Sequence, residues 1–360
     1  MHEKMKYERA NDLPPRLLTE NTPGFAWSAE RTGGTAREGF GGFAVLEPEK
    51  KPVAADTLFD LASLTKPLVT ALLALSALDS GEIDLNEPVA EAPPPSFTML
   101  DLLRHQAGFP PWLPLYGKVD KPGEVFEWLL EECPREGPGR KVAYSCLGYI
   151  LLGLLLEKRL KVNLDTLFRD RVLNRLGIPA SEALFNPEGG YRTRCAATEL
   201  KASHEAEMAR QYGTTPPPFR NSIAWGEVHD GNARFMNGVA GNAGLFATLN
   251  GVKKLCGAFH GGSGFLSAQA LNLAWASPHP PGGVRRTAGW KASDSHGWWA
   301  SSVLPPGSVG HEGFTGTGAW MARDGEETYI LLTNRIHPVH PGVDFGSVRA
   351  AFVRAARRLK

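Results

Sequence analysis

Pro67 closes the segment Ser63-Leu64-Thr65-Lys66-Pro67, which opens the apolar run PLVTALLALSAL ending at Leu78. Proline fits a helix only in its first turn, because it has no N–H to donate and its ring crowds the preceding turn. A helix through this run must therefore begin close to Ser63. Residues at i and i+3 share a helix face, so the Lys66 amine can reach the Ser63 hydroxyl. The same placement sets Ser63 at a helix N-terminus, where free N–H groups and the positive end of the dipole favour developing negative charge.

A serine three residues before a lysine also arises by chance, and a solvated surface pair is then the simpler account. The flanks argue otherwise. Phe59, Leu61, Ala62 and Leu64 are apolar, which puts Lys66 on a buried helix. Burial disfavours an ammonium and is expected to lower the lysine pKa toward the range of a general base.

The chain has 360 residues and a formal net charge of +1, enough length for one large domain or two moderate ones. No block of like charge suggests a nucleic-acid or membrane surface as partner. The charged N-terminus has no apolar core of a secretory signal, and the apolar run from Leu147 to Leu156 is about half a membrane span. Cys133, Cys146, Cys195 and Cys256 form neither a C-x-x-C pair nor a metal spacing. Free thiols in a cytoplasmic protein without cofactor are the expectation. Oligomeric state is not legible.

Aromatic and β-branched residues broken by glycines suggest a hairpin over 23–47 turning near Gly33-Gly34. Helical segments are expected over Ser96–His105, Glu124–Cys133, Cys146–Leu160 and Leu164–Leu176, separated by Pro/Gly-rich loops. The last third reads as strands over Ser308–Phe314, Gly318–Arg323 and Thr328–Asn334, with turns at Thr315-Gly316-Thr317 and Asp324-Gly325, then a closing helix over Val343–Leu359. Strands at both ends with helices between predict an α+β fold: one antiparallel sheet flanked by helices and built from both termini, with a mostly helical insert. The boundaries expected are 1–79 with 235–360 for the sheet domain and 80–234 for the insert, with the active site between them.

Two further segments stand out. Tyr144-Ser145-Cys146 precedes the Leu147 helix, where a tyrosine usually serves packing. His311-Glu312-Gly313 lies in the glycine-dense stretch Gly310–Gly318, which lacks the strand-to-helix context of a dinucleotide loop. His337-Pro338-Val339-His340 and His204-Glu205 lack the spacing of metal sites, and His229-Asp230 reads as ordering its loop.

In order and context, Ser63-x-x-Lys66, Tyr144-x-Cys146 and His311-Glu312-Gly313 resemble the S-x-x-K, Y-x-N and K/H-T-G motifs of β-lactamase and penicillin-binding-protein-like serine hydrolases, in their class C-like branch. The likeness extends over nearly the whole chain, through Leu58–Ala62, Asp101–Gly108, Tyr144–Tyr149, Val228–Ala233, Gly238–Phe246 and Leu331–Arg335. It implies a β-lactamase/transpeptidase-like fold acting on a small-molecule substrate, with Ser63 as nucleophile of an acyl-enzyme and Lys66 helping to deprotonate it. Tyr144 is implied as general base or acid, its phenolate favoured by neighbouring cations. His311 would stand for the third-motif cation, and the N–H groups of Ser63 and Phe314 for the oxyanion hole. Acyl transfer independently requires a nucleophile, a base and fixed donors.

Two residues depart from the motifs. Cys146 replaces an asparagine whose amide contacts the lysine and substrate, and a thiol is a weak donor and acceptor. Glu312 replaces the Thr or Ser that helps hold a substrate carboxylate, and should repel an anion. Asn242 stands where related sequences often carry His. Cys146, His311, Glu312, Gly313 and Phe314 are thus the expected substrate-binding residues, with loops around Trp112, Leu113 and Tyr116 shaping specificity. Three activities fit: an esterase or amidase for small substrates, a D-Ala-D-Ala carboxypeptidase or β-lactamase, and a feebly active binding protein.

Overall fold

Residues 13–31, 36–139, 141–214, 222–279, 283–322, 327–339 and 344–359 are described by a computed structural model. Among the described residues ten strands are formed: β1 (Gly24–Arg31), β2 (Arg37–Val45), β3 (Lys51–Pro52), β4 (Phe59–Asp60), β5 (Ala183–Phe185), β6 (Leu245–Ala247), β7 (Lys291–Ala292), β8 (Val309–Glu312), β9 (Gly318–Met321) and β10 (Glu327–Thr333). Seven of them make one antiparallel sheet in the order β3-β2-β1-β10-β9-β8-β7. The first and last thirds of the chain meet where β1 pairs with β10, Trp27 opposite Leu331 and Ala26 opposite Leu332.

The sheet is buried on both faces, and strand alternation divides its side chains between two cores. Phe25, Trp27, Tyr329, Leu331 and Trp320 pack with Phe352 and Val353 of the C-terminal helix Gly346–Arg358 and with Leu18 of the first helix, Leu13–Asn21. Ala26, Ile330, Leu332, Ala319 and Met321 face the other way, into the main core with Leu68, Leu72 and Leu75. That alternation leaves no polar face at the centre of β10, which explains its apolar run Tyr329-Ile330-Leu331-Leu332.

The Ser63 helix is continuous but not uniform. It starts as a 3₁₀ turn at Ala62–Leu64, runs as π-helix over Lys66–Ala71 with Pro67 in its first turn, and becomes α-helical over Leu72–Asp79. The helix Cys146–Leu160 has the expected bounds, and Leu164–Leu176 is helical throughout. Two expected helices are shorter, at Met99–Leu103 and Val125–Glu131. Thr98 and Asp101 form a reciprocal capping box that starts the former late. The closing helix starts at Gly346, and the turns at Gly33-Gly34 and Asp324-Gly325 lie outside the described residues.

A second sheet, β4-β6-β5, seams the middle of the chain to the rest: β5 pairs with β6, and β6 with β4 just before Ser63. The insert therefore carries a strand as well as helices, and its helices share the main core with the sheet.

Candidate active site

β4 delivers the chain to Ser63 under local constraint. Asp60 is buried and its carboxylate accepts the N–H groups of Ala62 and His229, each at 2.8 Å. Ala62 has φ of 46°, a left-handed conformation that is strained for a residue with a Cβ and sits directly before the serine. Beyond it, Lys66 is fully buried and its Nζ lies 2.9 Å from Ser63 Oγ, 3.1 Å from the Asn242 carbonyl and 3.4 Å from Cys146 Sγ. Tyr144 Oη donates to Ser63 Oγ at 2.8 Å. Two donors from separate elements thus converge on one hydroxyl.

Tyr144 is fixed by its neighbours in sequence. Ser145 caps the Cys146–Leu160 helix by accepting the Gly148 N–H at 3.0 Å, and its own N–H donates to His105 Nδ1 at 3.1 Å. The His105 ring packs between Tyr144 and Tyr149, with centroids 4.8 and 4.9 Å away. The Asp101–Gly108 segment therefore supplies the wall behind the tyrosine.

The third element comes in on β8. A Cβ on Gly313 would lie 2.1 Å from Thr317 Oγ1 and 2.5 Å from the Leu61 carbonyl, so only glycine lets this strand end approach the Ser63 turn. Thr315 and Thr317 donate to the carbonyls of Asp60 and Leu61, at 2.8 and 3.0 Å. Arg349 of the C-terminal helix donates to the Gly313 carbonyl at 2.6 Å. The Phe314 ring is stacked between His204 and His229, each centroid 5.3 Å away. Buried Glu199 orders that sandwich by accepting from Ser203 N and Oγ and pairing with His229 Nε2 at 3.0 Å.

Electrostatics correct three expectations. Burial of Lys66 works against its charge, but the Cys146 and Tyr144 groups beside it carry negative charge on ionising and outweigh burial. Lys66 therefore holds its proton above the usual lysine range rather than below it. Burial, reinforced by Cys146, pushes the Tyr144 phenol up against the pull of Lys66, so the phenolate is not the resting form. His311 is buried near Arg286 and Lys66, which together hold its pKa well below the ordinary value. It is a neutral ring, its Nδ1 accepting the Glu312 N–H at 2.9 Å, and supplies no third-motif cation.

Positive charge comes instead from Arg286 and Lys291, which sequence reasoning missed. Both line the cleft. Glu312 also lines it, but accepts from Trp299 Nε1 at 2.8 Å and lies 3.9 Å from Arg349 Nε. Its charge is thus partly offset, so simple repulsion of an anion does not follow. Burial pushes Glu205 up to about 7, with Asp230 reinforcing the shift.

The cleft has a volume of about 480 Å³ and exposes Ser63, Tyr144, Cys146, His311, Glu312 and Phe314. Trp112 lines it, whereas Leu113 belongs to the core and Tyr116 donates to Glu205 at 2.9 Å. Asn242 is buried, donating to Asp230 at 3.2 Å while its backbone holds Lys66. His204 and Glu205, passed over as a metal pair, line the same cleft. All four cysteines are free. Among the described residues, no three His, Cys, Asp or Glu side chains are grouped to hold a metal ion.

A hydroxyl at a helix start, met by a lysine and a tyrosine and opening onto a cleft, is the constellation of an acyl-transfer hydrolase. The chain belongs to the beta-lactamase family, whose profile matches residues 9–351, and is a serine hydrolase of that family. It is similar to a putative D-alanyl-D-alanine carboxypeptidase of Salmonella enteritidis PT4, 27% identical over 316 residues that span 78% of this chain and 70% of that protein. Among solved structures, a class C beta-lactamase superposes with a TM-score of 0.71 at 19% identity, covering 100% of this chain and 99% of its own. EstCE1, a hydrolase with promiscuous acyltransferase activity, gives 0.74 at 18% identity and 96% of both chains. At these identities the structural likeness speaks for the fold.

Proposed function

We propose that this protein hydrolyses small esters or amides through an acyl-enzyme on Ser63. The observation carrying the proposal is the convergence of Lys66 Nζ and Tyr144 Oη on Ser63 Oγ, at 2.9 and 2.8 Å, at the mouth of the cleft. Ser63 Oγ attacks the carbonyl carbon while its proton passes to the Lys66–Tyr144 pair. The carbonyl oxygen takes up negative charge near the N–H groups of Ser63 and Phe314, and the same pair returns a proton to the leaving group. Water then repeats the sequence on the acyl-enzyme.

Fluorophosphonate labelling and p-nitrophenyl ester turnover test this reading. Both are expected in the wild type and absent in Ser63→Ala. Turnover that survived in Ser63→Ala would place the chemistry elsewhere.

A second reading, D-alanyl-D-alanine carboxypeptidase, is favoured by the likeness to the Salmonella protein of that name and by the cations Arg286 and Lys291 in the cleft. Release of D-alanine from a peptide ending in D-Ala-D-Ala decides between them. Cys146 weighs against efficient peptide turnover, because a thiol is a weak partner for a substrate amide.

A further inference from the structure

Arg286 is 8% exposed, and its buried Nε has no hydrogen-bond partner among the described residues. Leaving a donor of a buried cation unsatisfied is costly, and such groups persist where function uses the charge. Its guanidinium carbon lies 5.3 Å from the Tyr144 ring centroid. Lys66 Nζ lies 5.0 Å from the same centroid. The backbone explains the reach: Arg286 is bridged to Lys291 at the start of β7, and β7 pairs with β8, Lys291 opposite Gly310 and next to His311. Arg286 thus enters from the neighbouring strand into the space beside the histidine.

We infer that Arg286, rather than the histidine of β8, is the positive charge that supports the ionised form of Tyr144 during acyl transfer; this rests on the reading of Ser63, Lys66 and Tyr144 as the acylation centre. In the step concerned, tyrosinate takes the Ser63 proton as the Oγ–carbon bond forms and the carbonyl π pair moves to oxygen. On collapse, the carbon–leaving-group bond breaks and Tyr144 returns the proton to the departing alcohol or amine. Arg286 remains protonated throughout and acts through Tyr144, which makes it a positioning and electrostatic residue. The groups around Tyr144 agree with that division. Lys66 approaches from the Ser63 helix, Cys146 from its own segment, His105 and His311 as neutral rings, and Lys291 and Glu312 from β7 and β8. Glu312 is turned to Trp299 and Arg349.

The test uses Arg286→Met and Arg286→Lys in the full chain. One readout is NMR titration of [¹³Cζ]tyrosine, with Tyr144 assigned by Tyr144→Phe. The other is the pH–rate profile of Ser63 acylation by a neutral p-nitrophenyl ester and by one bearing a carboxylate. In Arg286→Met, the Tyr144 titration and the rising limb of both profiles should move up by about one pH unit, an acylation rate about tenfold lower at fixed pH. Arg286→Lys should recover most of that loss. An unmoved Tyr144 titration in folded Arg286→Met overturns the inference. So does a loss confined to KM for the anionic ester, which makes Arg286 an anchor for substrate charge. If the wild type turns over neither ester, the hydrolase reading fails, and the NMR titration still decides the Arg286–Tyr144 coupling. Arg286→Gln serves the same comparison if Arg286→Met does not fold.

Discussion

The Cys146 sulfur lies 3.4 Å from Lys66 Nζ and 4.0 Å from Tyr144 Oη, at the place of the asparagine in the Y-x-N motif that Tyr144-Ser145-Cys146 resembles. A thiol accepts a hydrogen bond weakly and offers a substrate amide little. Cys146→Asn should therefore raise kcat/KM for a p-nitroanilide by about tenfold, the effect of one added hydrogen bond of about 1.4 kcal/mol in the transition state. Turnover of the matched p-nitrophenyl ester should change much less. Equal rates on the anilide before and after substitution would assign selectivity to Glu312 or to cleft shape.

Lys66 serves both stability and chemistry. It is fully buried, and its partners are a hydroxyl, a thiol and a carbonyl, with no carboxylate among them. The folded site nevertheless holds the Lys66 proton above the ordinary lysine range, so folding favours the ammonium, and Lys66→Met, similar in volume and apolar, should lower stability by about 1–3 kcal/mol. Acylation of Ser63 should fall by at least about a thousandfold. Thermal unfolding and fluorophosphonate labelling measure the two effects, and a higher Tm would show that the ammonium destabilises the fold.

The pH dependence of acylation follows from the upward shifts at both Lys66 and Tyr144. Each group keeps its proton through neutral pH, and only a deprotonated pair can accept the Ser63 proton. The acylation rate should therefore climb with pH, about tenfold per unit, and continue climbing past pH 9. Stopped-flow or burst measurements between pH 6 and 10 check this. A plateau reached near pH 7 would mean that one of the two groups is already a free base there.

Glu199 should contribute stability that is lost as pH falls. Burial alone would raise its pKa, but hydrogen bonds from His229 and Ser203 and the His229 charge hold it down to about 2. A depressed carboxyl stabilises the fold above its unfolded pKa of about 4.3, and that stability is lost as pH falls toward 2. Glu199→Gln should cost up to about 3 kcal/mol at pH 7 and much less at pH 3. It should also lower kcat more than it raises KM, because Glu199 orders the His204–Phe314–His229 stack beside the nucleophile. Denaturant unfolding at the two pH values separates these effects from a general loss of packing.

Local geometry made the Ser63–Lys66 pair legible. Pro67 fixed the helix start, and i,i+3 spacing on that helix brought Lys66 to Ser63 without help from the rest of the chain. The Ser145 cap likewise set the start of the helix at Cys146, and short apolar segments between turn signals located β8, β9 and β10. Their order along the chain carried the family resemblance. Leu113, by contrast, read as a cleft residue and lies in the core, because loop direction depends on what packs beneath it.

Charge was not legible in the same way. Burial of Lys66 and Tyr144 could be anticipated, but the net direction of each shift depends on which groups come within a few ångströms from distant segments. Arg286 lies in Val284-Arg285-Arg286-Thr287, a stretch with no motif, and reaches Tyr144 only because β7 pairs with β8. His311 becomes neutral, and Glu312 turns to Trp299, for the same reason. The sequence by itself determined the Ser63–Lys66 pairing and the class of fold, since these follow from backbone periodicity and short-range spacing. The protonation of the site and the source of its positive charge were decided by tertiary packing, because electrostatic energy in a buried cleft depends on distance in space and on exclusion of water.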